Sequence, residues 1–264
     1  MKVAKIVLLG AGNVAVHLAG ALSSAGCRIV QVYSRTLASA QSLAAEVNAE
    51  PITDLGAIDS SADVFLFALN DSGLESIINQ ISFSGQLALH TSGSMPMDVF
   101  NGKALRYGVL YPLQTFSRFR PVDFKSTPFF VEANSAEDLL VVEALALRLS
   151  PKVIHADSFR RKQLHLSAVF ANNFVNHLYV ISAQLLEKSG FLFDVLKPLI
   201  LETAMKAIEL DNPATAQTGP AARNNREVMN DHIEMLASNP DWQNLYTFVS
   251  NSIVKMLHEK ADNL

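Results

Sequence analysis

Lys5-Ile6-Val7-Leu8-Leu9-Gly10-Ala11-Gly12-Asn13-Val14-Ala15 decides the fold. An apolar run of strand length passes directly into a G-x-G-x-x-A turn, and apolar residues at helical spacing (Val14, Leu18, Leu22) follow until Gly26 closes the helix. Each position of the turn has a physical task. Gly10 allows the tight bend, Gly12 carries no Cβ to hold a pyrophosphate away from the backbone, and Ala15 is small enough for close helix–strand packing. Gly10, Ala11, Gly12, Asn13 and Val14 are therefore the expected pyrophosphate-binding residues, because the N-terminus of the helix offers free N–H groups and the positive end of a dipole. Without a ligand the same turn is only a tight connection; the strand before it and the helix after it favour the dinucleotide.

Outward from this turn, short β-rich runs alternate with helical ones. Strands are predicted at 5–9, 29–33, 64–68, 87–90, 106–110 and 129–132, with a short one at 153–154, and helices at 14–25, 38–47, 74–80 and 136–149. Nearly all-apolar strands separated by helices predict a parallel sheet covered on both faces. Beyond residue 155 the pattern becomes helical: 163–189, 193–208, 226–238 and 241–259, broken clearly only by the Asn-Pro and Thr-Gly-Pro turns within 211–225. The expected organisation is a doubly wound α/β Rossmann domain over 1–152, followed by an all-α domain over 153–264 for substrate and dimerisation.

The end of the second strand distinguishes the two nicotinamide dinucleotides. An NAD site places Asp or Glu there to bind the ribose 2′-hydroxyl. This chain has Ser34-Arg35-Thr36, an arginine between two hydroxyls, which suits a 2′-phosphate. NADP is thus the expected cofactor, with Leu69 and Asn70 lining it from the end of the third predicted strand. Two further strand-end loops hold the candidates for substrate and chemistry: His90-Thr91-Ser92-Gly93-Ser94 and Tyr111-Pro112-Leu113-Gln114-Thr115. His90 reads equally as a structural hydrogen-bonder or a proton donor. Arg118 with Arg120 could receive a substrate carboxylate by bidentate pairing but reads first as a solvated loop, and the Arg160-Arg161-Lys162 run reads as an exposed helix start. Asn172 and Asn173, on an otherwise apolar helical stretch, predict a buried polar partner for at least one of them.

Composition narrows the partners. Net charge is −4 and evenly spread, so a nucleic-acid backbone is not expected. The single Cys27 excludes an internal disulfide and a cysteine-cluster metal site, and no metal is expected. The apolar N-terminal run is too short for a secretory leader, and no stretch reaches the length of a membrane span. A cytoplasmic protein acting on a small molecule is the expectation.

The combination of the glycine turn, Ser34-Arg35-Thr36 and His90-Thr91-Ser92-Gly93 resembles the deazaflavin-dependent NADP oxidoreductases and the pyrroline-5-carboxylate reductases. Ala168-Val169-Phe170-Ala171-Asn172-Asn173 and Thr218-Gly219-Pro220-Ala221-Ala222-Arg223 resemble a bacterial family that joins such a domain to a helical domain of unknown function. The resemblance implies a helical domain similar to that of 6-phosphogluconate dehydrogenase, often a dimerisation element, and hence a homodimer. The active cleft is expected between the two domains, with Ser92, Tyr111, Asn173 and Thr218 near the nicotinamide. Two departures matter. Ala221-Ala222-Arg223 replaces the small, hydroxyl-rich end of the corresponding pyrroline-5-carboxylate reductase loop. Ala168 and Val169 stand where β-hydroxyacid dehydrogenases carry a catalytic lysine. His165, Asn173 and Ser92 are therefore the catalytic candidates, with His90, Tyr111, Thr218 and Arg223 as substrate contacts. His165 reads alternatively as a capped or interfacial helix residue. The expected activity is hydride transfer between NADP(H) and a small organic substrate; the missing lysine leaves a non-catalytic NADP(H) sensor or scaffold as the rival.

Overall fold

The computed structural model describes residues 4–258, which fall into two compact units divided between Phe174 and Val175. The first unit is built on an eight-stranded sheet of order β3-β2-β1-β4-β5-β6-β7-β8. β1 (Lys5–Leu9), β2 (Arg28–Tyr33), β3 (Glu50–Ile52), β4 (Val64–Phe67), β5 (Leu87–His90) and β6 (Arg106–Pro112) are mutually parallel. Their 3-2-1-4-5-6 order is that of a dinucleotide-binding Rossmann sheet, with a switch point between β1 and β4. α1 (Asn13–Ser24), α2 (Leu37–Val47), α3 (Asp71–Ile78) and α4 (Ala136–Leu147) supply the covering helices.

Burial follows the pleat. Ile6 and Leu8 join a core with Leu18 and Leu22 of α1, while Val7 and Leu9 join Phe65, Phe67 and Leu74 on the other face. A strand buried on both sides has to be apolar throughout, which is why β1 reads as an unbroken run. Cys27 lies in the first of these cores, with its sulfur 3.5 Å from Arg148 Nη1.

The sheet departs from the all-parallel expectation at β7 (Phe129–Ala133), which runs antiparallel to β6 with Tyr111 opposite Phe130. Residues 113–128 connect the two strands without the helical crossover that parallel neighbours require. β8 (Val153–His155) then pairs parallel to β7. β3 was not anticipated: it is three residues long and contains Pro51, tolerable because it is an edge strand.

The expected uninterrupted helix over 163–189 is different in detail. It begins earlier, as α5 (Ser158–Ala168), because the Asp157 carboxylate caps it by accepting from the Arg160 N–H at 2.7 Å. A π-helical segment, Val169–Phe174, follows, and no proline or glycine announces it. The second unit comprises α6 (Val175–Lys188), α7 (Lys197–Glu209), α8 (Arg226–Met235) and α9 (Pro240–His258). Residues 193–196, expected to open α7, form a separate 3-10 turn. The expected end of the last helix at Glu259 lies outside the described residues. Among the described residues, no helix is long and apolar enough to cross a membrane.

Candidate functional site

A groove opens where β1 and β4 end. Gly10 terminates β1 with φ +121°, and a Cβ there would lie 2.3 Å from the Ala68 carbonyl oxygen at the end of β4. Its N–H donates to the Tyr33 carbonyl at 2.9 Å, which ties the turn to β2. Gly12 differs: a Cβ on it would meet nothing within 4 Å. It is the N-cap of α1 and provides no side-chain cap, so the first N–H groups of that helix are left for a ligand. Uncapped N–H groups, a dipole and open space above a glycine fit a pyrophosphate.

Gly10, Ala11, Gly12, Ser34, Arg35, Thr36, Leu69 and Asn70 line one end of the groove, about 610 Å³ in volume. Arg35 is exposed there, and Thr36 Oγ1 donates to Ser39 Oγ at 2.9 Å. The Asn70 side chain caps α3 by accepting from the Gly73 N–H at 2.9 Å. The other end, about 730 Å³, is lined by Asn13, Val14, Ser92, Tyr111, His165 and Asn173 among others. Gly12, Leu69 and Asn70 belong to both ends, so the groove is continuous. The loop after β6 fastens onto the turn. Asn13 Nδ2 donates to the Phe116 carbonyl at 3.0 Å, and Arg118 Nη2 donates to the Ala11 carbonyl at 2.8 Å. Arg118 is thus anchored, although its loop reads as freely solvated.

At the far end Tyr111 Oη lies 3.2 Å from His165 Nδ1, joining β6 to α5. A chamber of about 420 Å³ adjoins this pair, bounded by Leu113, Leu164, Ala168 and Asn172. Burial pushes the Tyr111 phenol above its usual range. Gly93 packs beneath both rings: a Cβ on it would fall 2.7 Å from His165 Nδ1 and 2.7 Å from Tyr111 Cζ. Asn172 and Asn173 lie on the π segment, line both cavities and are exposed. The buried partner expected for one of them is absent among the described residues; the π segment turns both toward the cavities, a frequent use of this geometry.

A polar network runs inward from the groove lining, and sequence reading mostly missed it. Asp71, at the start of α3, accepts from Ser92 Oγ at 2.8 Å and from Ser94 Oγ at 2.5 Å. Ser92 Oγ also accepts the N–H groups of Ser94 and Met95. Arg161, read as part of an exposed helix start, is fully buried. It donates to Glu132 of β7 at 2.5 Å and to the Met95 carbonyl at 2.7 Å. Glu132 also accepts from the Ser158 N–H and hydroxyl. Arg161 and His165 are four residues apart on α5, so this ion pair fixes the helical face that presents the histidine. A glutamate at the end of an apolar strand was the available signal. Thr218 and Arg223 belong to the second unit. Thr218 lines an apolar cavity there with Ile181 and Trp242, and Arg223 is exposed. Among the described residues, no cluster of three or more His, Cys, Asp or Glu could hold a metal.

His90 is buried beneath the loop, and its Nδ1 accepts from the Ser92 N–H at 3.1 Å. The proton therefore sits on Nε2, which makes no hydrogen bond of good geometry. Burial, and then the charge of Arg161, lower its pKa from 6.5 to about 3. The unfolded chain binds this proton below pH 6.5 and the folded chain does not, so the contribution is complete above pH 6.5 and is lost as pH falls toward 3. The expected slope is about 1.4 kcal/mol per pH unit in that window. Urea titrations from pH 7 to 4 should show this slope reduced in His90→Gln; equal slopes in both proteins would remove His90 as its source.

Comparison with known proteins agrees with this geometry. Residues 127–253 match a domain of unknown function, DUF2520, and residues 1–99 match the shikimate/quinate 5-dehydrogenase family. No curated protein matches the sequence. A crystal structure from Bacteroides fragilis, provisionally named an NADP oxidoreductase, is 49% identical, with TM-score 0.90 over 96% of this chain and 98% of that one. Two more distant structures share the fold. A reductive aminase from Aspergillus terreus, solved with NADPH and ethyl-5-oxohexanoate, is 15% identical with TM-score 0.69, covering 99% and 95% of the two chains. A pyrroline-5-carboxylate reductase from Coxiella burnetii is 15% identical with TM-score 0.58, covering 98% of each chain. Rossmann sheet, glycine turn and helical unit lie within the 49% match across nearly the full length of both chains, and the protein belongs to the oxidoreductase family of that Bacteroides fragilis protein.

Proposed function

We propose that the chain transfers a hydride between NADP(H) and a small organic substrate in the groove of its first unit. The observation that carries this reading is the uncapped start of α1 at Gly12, where a side chain's space is left open, with Arg35 lining the same groove. Gly10, Ala11, Gly12, Asn13 and Val14 receive the pyrophosphate in this reading. Ser34, Arg35 and Thr36 receive the 2′-phosphate, and Leu69 and Asn70 line the path between the two groove ends. The nicotinamide, when bound, supplies or accepts the hydride; the protein aligns the reacting carbons and excludes water. Tyr111, His165 and Asn173 surround that end, and Ser92 with His90 holds the loop beneath it. The NADP in the name of the Bacteroides fragilis relative supports the cofactor assignment.

Arg35→Ala should weaken NADPH binding about 10- to 100-fold, as expected for losing charged hydrogen bonds worth about 1.5–3 kcal/mol, and leave NADH within about two-fold. Fluorescence titration of both cofactors measures this, and equal losses would defeat the 2′-phosphate assignment.

A homodimer formed through the helical unit belongs to the same proposal. Its described buried hydrophobics are Ile181, Ala221, Met229 and Leu236, while Leu192, Leu199, Leu201 and Ile208 are mostly exposed. Such an apolar surface calls for a covering partner, and a second copy of the chain supplies it. Light scattering after size-exclusion chromatography tests the assembly.

A further inference from the structure

We propose that Tyr111, backed by His165, is the proton donor of the reaction, and that the adjoining chamber takes a C=O or C=N compound carrying no carboxylate or phosphate. The inference rests on the NADP(H) reading above and names the chemistry at its far end.

Geometry singles out the pair. Tyr111 and His165 are 3.2 Å apart, and both face the groove and the 420 Å³ chamber. Gly93 beneath and the buried Arg161 on α5 leave them little room to shift. The Ser92 hydroxyl, the other catalytic candidate, is engaged: it donates its proton to Asp71 and accepts two backbone N–H groups. With its proton on Nδ1, His165 donates to the phenol oxygen and leaves the phenolic hydrogen free for the substrate. Burial keeps that phenol protonated at neutral pH.

Charge defines the substrate class. Among the described residues lining the far groove end and the chamber there is no lysine or arginine, and the one formally charged group is the Asp71 carboxylate. Arg161, whose charge reaches Tyr111, is fully buried and bonded to Glu132. A substrate carboxylate would thus meet an anion and no guanidinium partner. Gln114, Asn172 and Asn173 offer neutral amide dipoles instead.

The step balances. When the substrate carbon accepts a hydride from the reduced nicotinamide, the C=X π bond breaks and its electron pair takes the phenolic proton on X. New C–H and X–H bonds form, and solvent protonates His165 Nε2 as its Nδ1 proton passes to the tyrosinate. The substrate is reduced and the dinucleotide oxidised.

Matched probes test it. Calorimetry on the NADP⁺-loaded protein compares ethyl levulinate with levulinate, and NADPH oxidation is followed with each. The ester should bind at least about ten-fold more tightly, or about 1.4 kcal/mol. Tyr111→Phe should lower kcat with the ester about 10²- to 10³-fold while the NADPH Kd stays within about two-fold. His165→Gln should lower kcat less and enlarge the solvent isotope effect, with KM nearly constant. Preference for the acid, or binding of neither probe by a protein that binds NADPH, overturns the substrate class and leaves the cofactor reading intact. Full kcat in Tyr111→Phe overturns the donor. Failure to bind NADPH at all removes the reading on which both rest.

Discussion

Arg161→Ala is expected to destabilise the first unit by about 3–5 kcal/mol, the range for breaking a buried ion pair from one side. The guanidinium is fully buried, and three of its hydrogen bonds reach Glu132, Met95 and Ser158. Its removal leaves the Glu132 carboxylate, already nearly enclosed, with only the Ser158 donors. The loss should be asymmetric. Arg161→Met with Glu132→Gln should recover much of the stability, since the pair then disappears together with its desolvation penalty. Chemical denaturation of Arg161→Met, Glu132→Gln and the double closes the cycle. A single-variant loss below about 1 kcal/mol would show that water or a rearranged side chain replaces the arginine. The double variant separates stability from positioning: if it folds well yet reduces turnover, Arg161 matters for where α5 holds His165.

Gly10→Ala is the second change with a large expected effect. The added methyl would lie 2.3 Å from the Ala68 carbonyl oxygen and 3.0 Å from its carbon, at a backbone φ of +121°. Both obstacles are backbone atoms, so no side-chain rotation relieves them. Strain and overpacking together predict a loss of about 2–5 kcal/mol, and a displaced turn that no longer aims its N–H groups at a pyrophosphate. Gly12→Ala is the control: its Cβ meets nothing within 4 Å, so stability should hold while NADPH affinity falls. Thermal melts and cofactor titrations on the two variants distinguish the roles, and a Gly12 variant that kept its NADPH affinity would count against the groove as the pyrophosphate site.

The contrast between these glycines also marks what can be read from sequence. The G-x-G-x-x-A pattern located the turn, and the alternation of apolar runs located the strands, because both are local consequences of backbone geometry. The reversal at β7 was not legible, since strand direction depends on how residues 113–128 return the chain and not on the residues of the strand itself. The π segment was hidden for a similar reason: Val169–Phe174 keeps the apolar spacing of an ordinary helix. Arg35 and Tyr111, which line the groove, stood out because they follow the ends of predicted strands. Asp71 with Ser92 and Ser94, Glu132 with Arg161, and Gly93 under His165 were not, because each joins residues more than 20 positions apart. Polar residues scattered along the chain gave no sign that folding would join them into one network at the groove.

The buried Cys27 has one more consequence. It is the chain's only cysteine and lies in the first unit, whereas the only tryptophan, Trp242, lies in the second. Each unit therefore carries one natural spectroscopic or chemical reporter, and no engineered label is needed. Pulses of a thiol reagent during a denaturant titration record when the sheet opens, while indole fluorescence records the same event among the helices. Coincident midpoints would mean that the two units melt as one cooperative body; separated midpoints would give each its own free energy of unfolding.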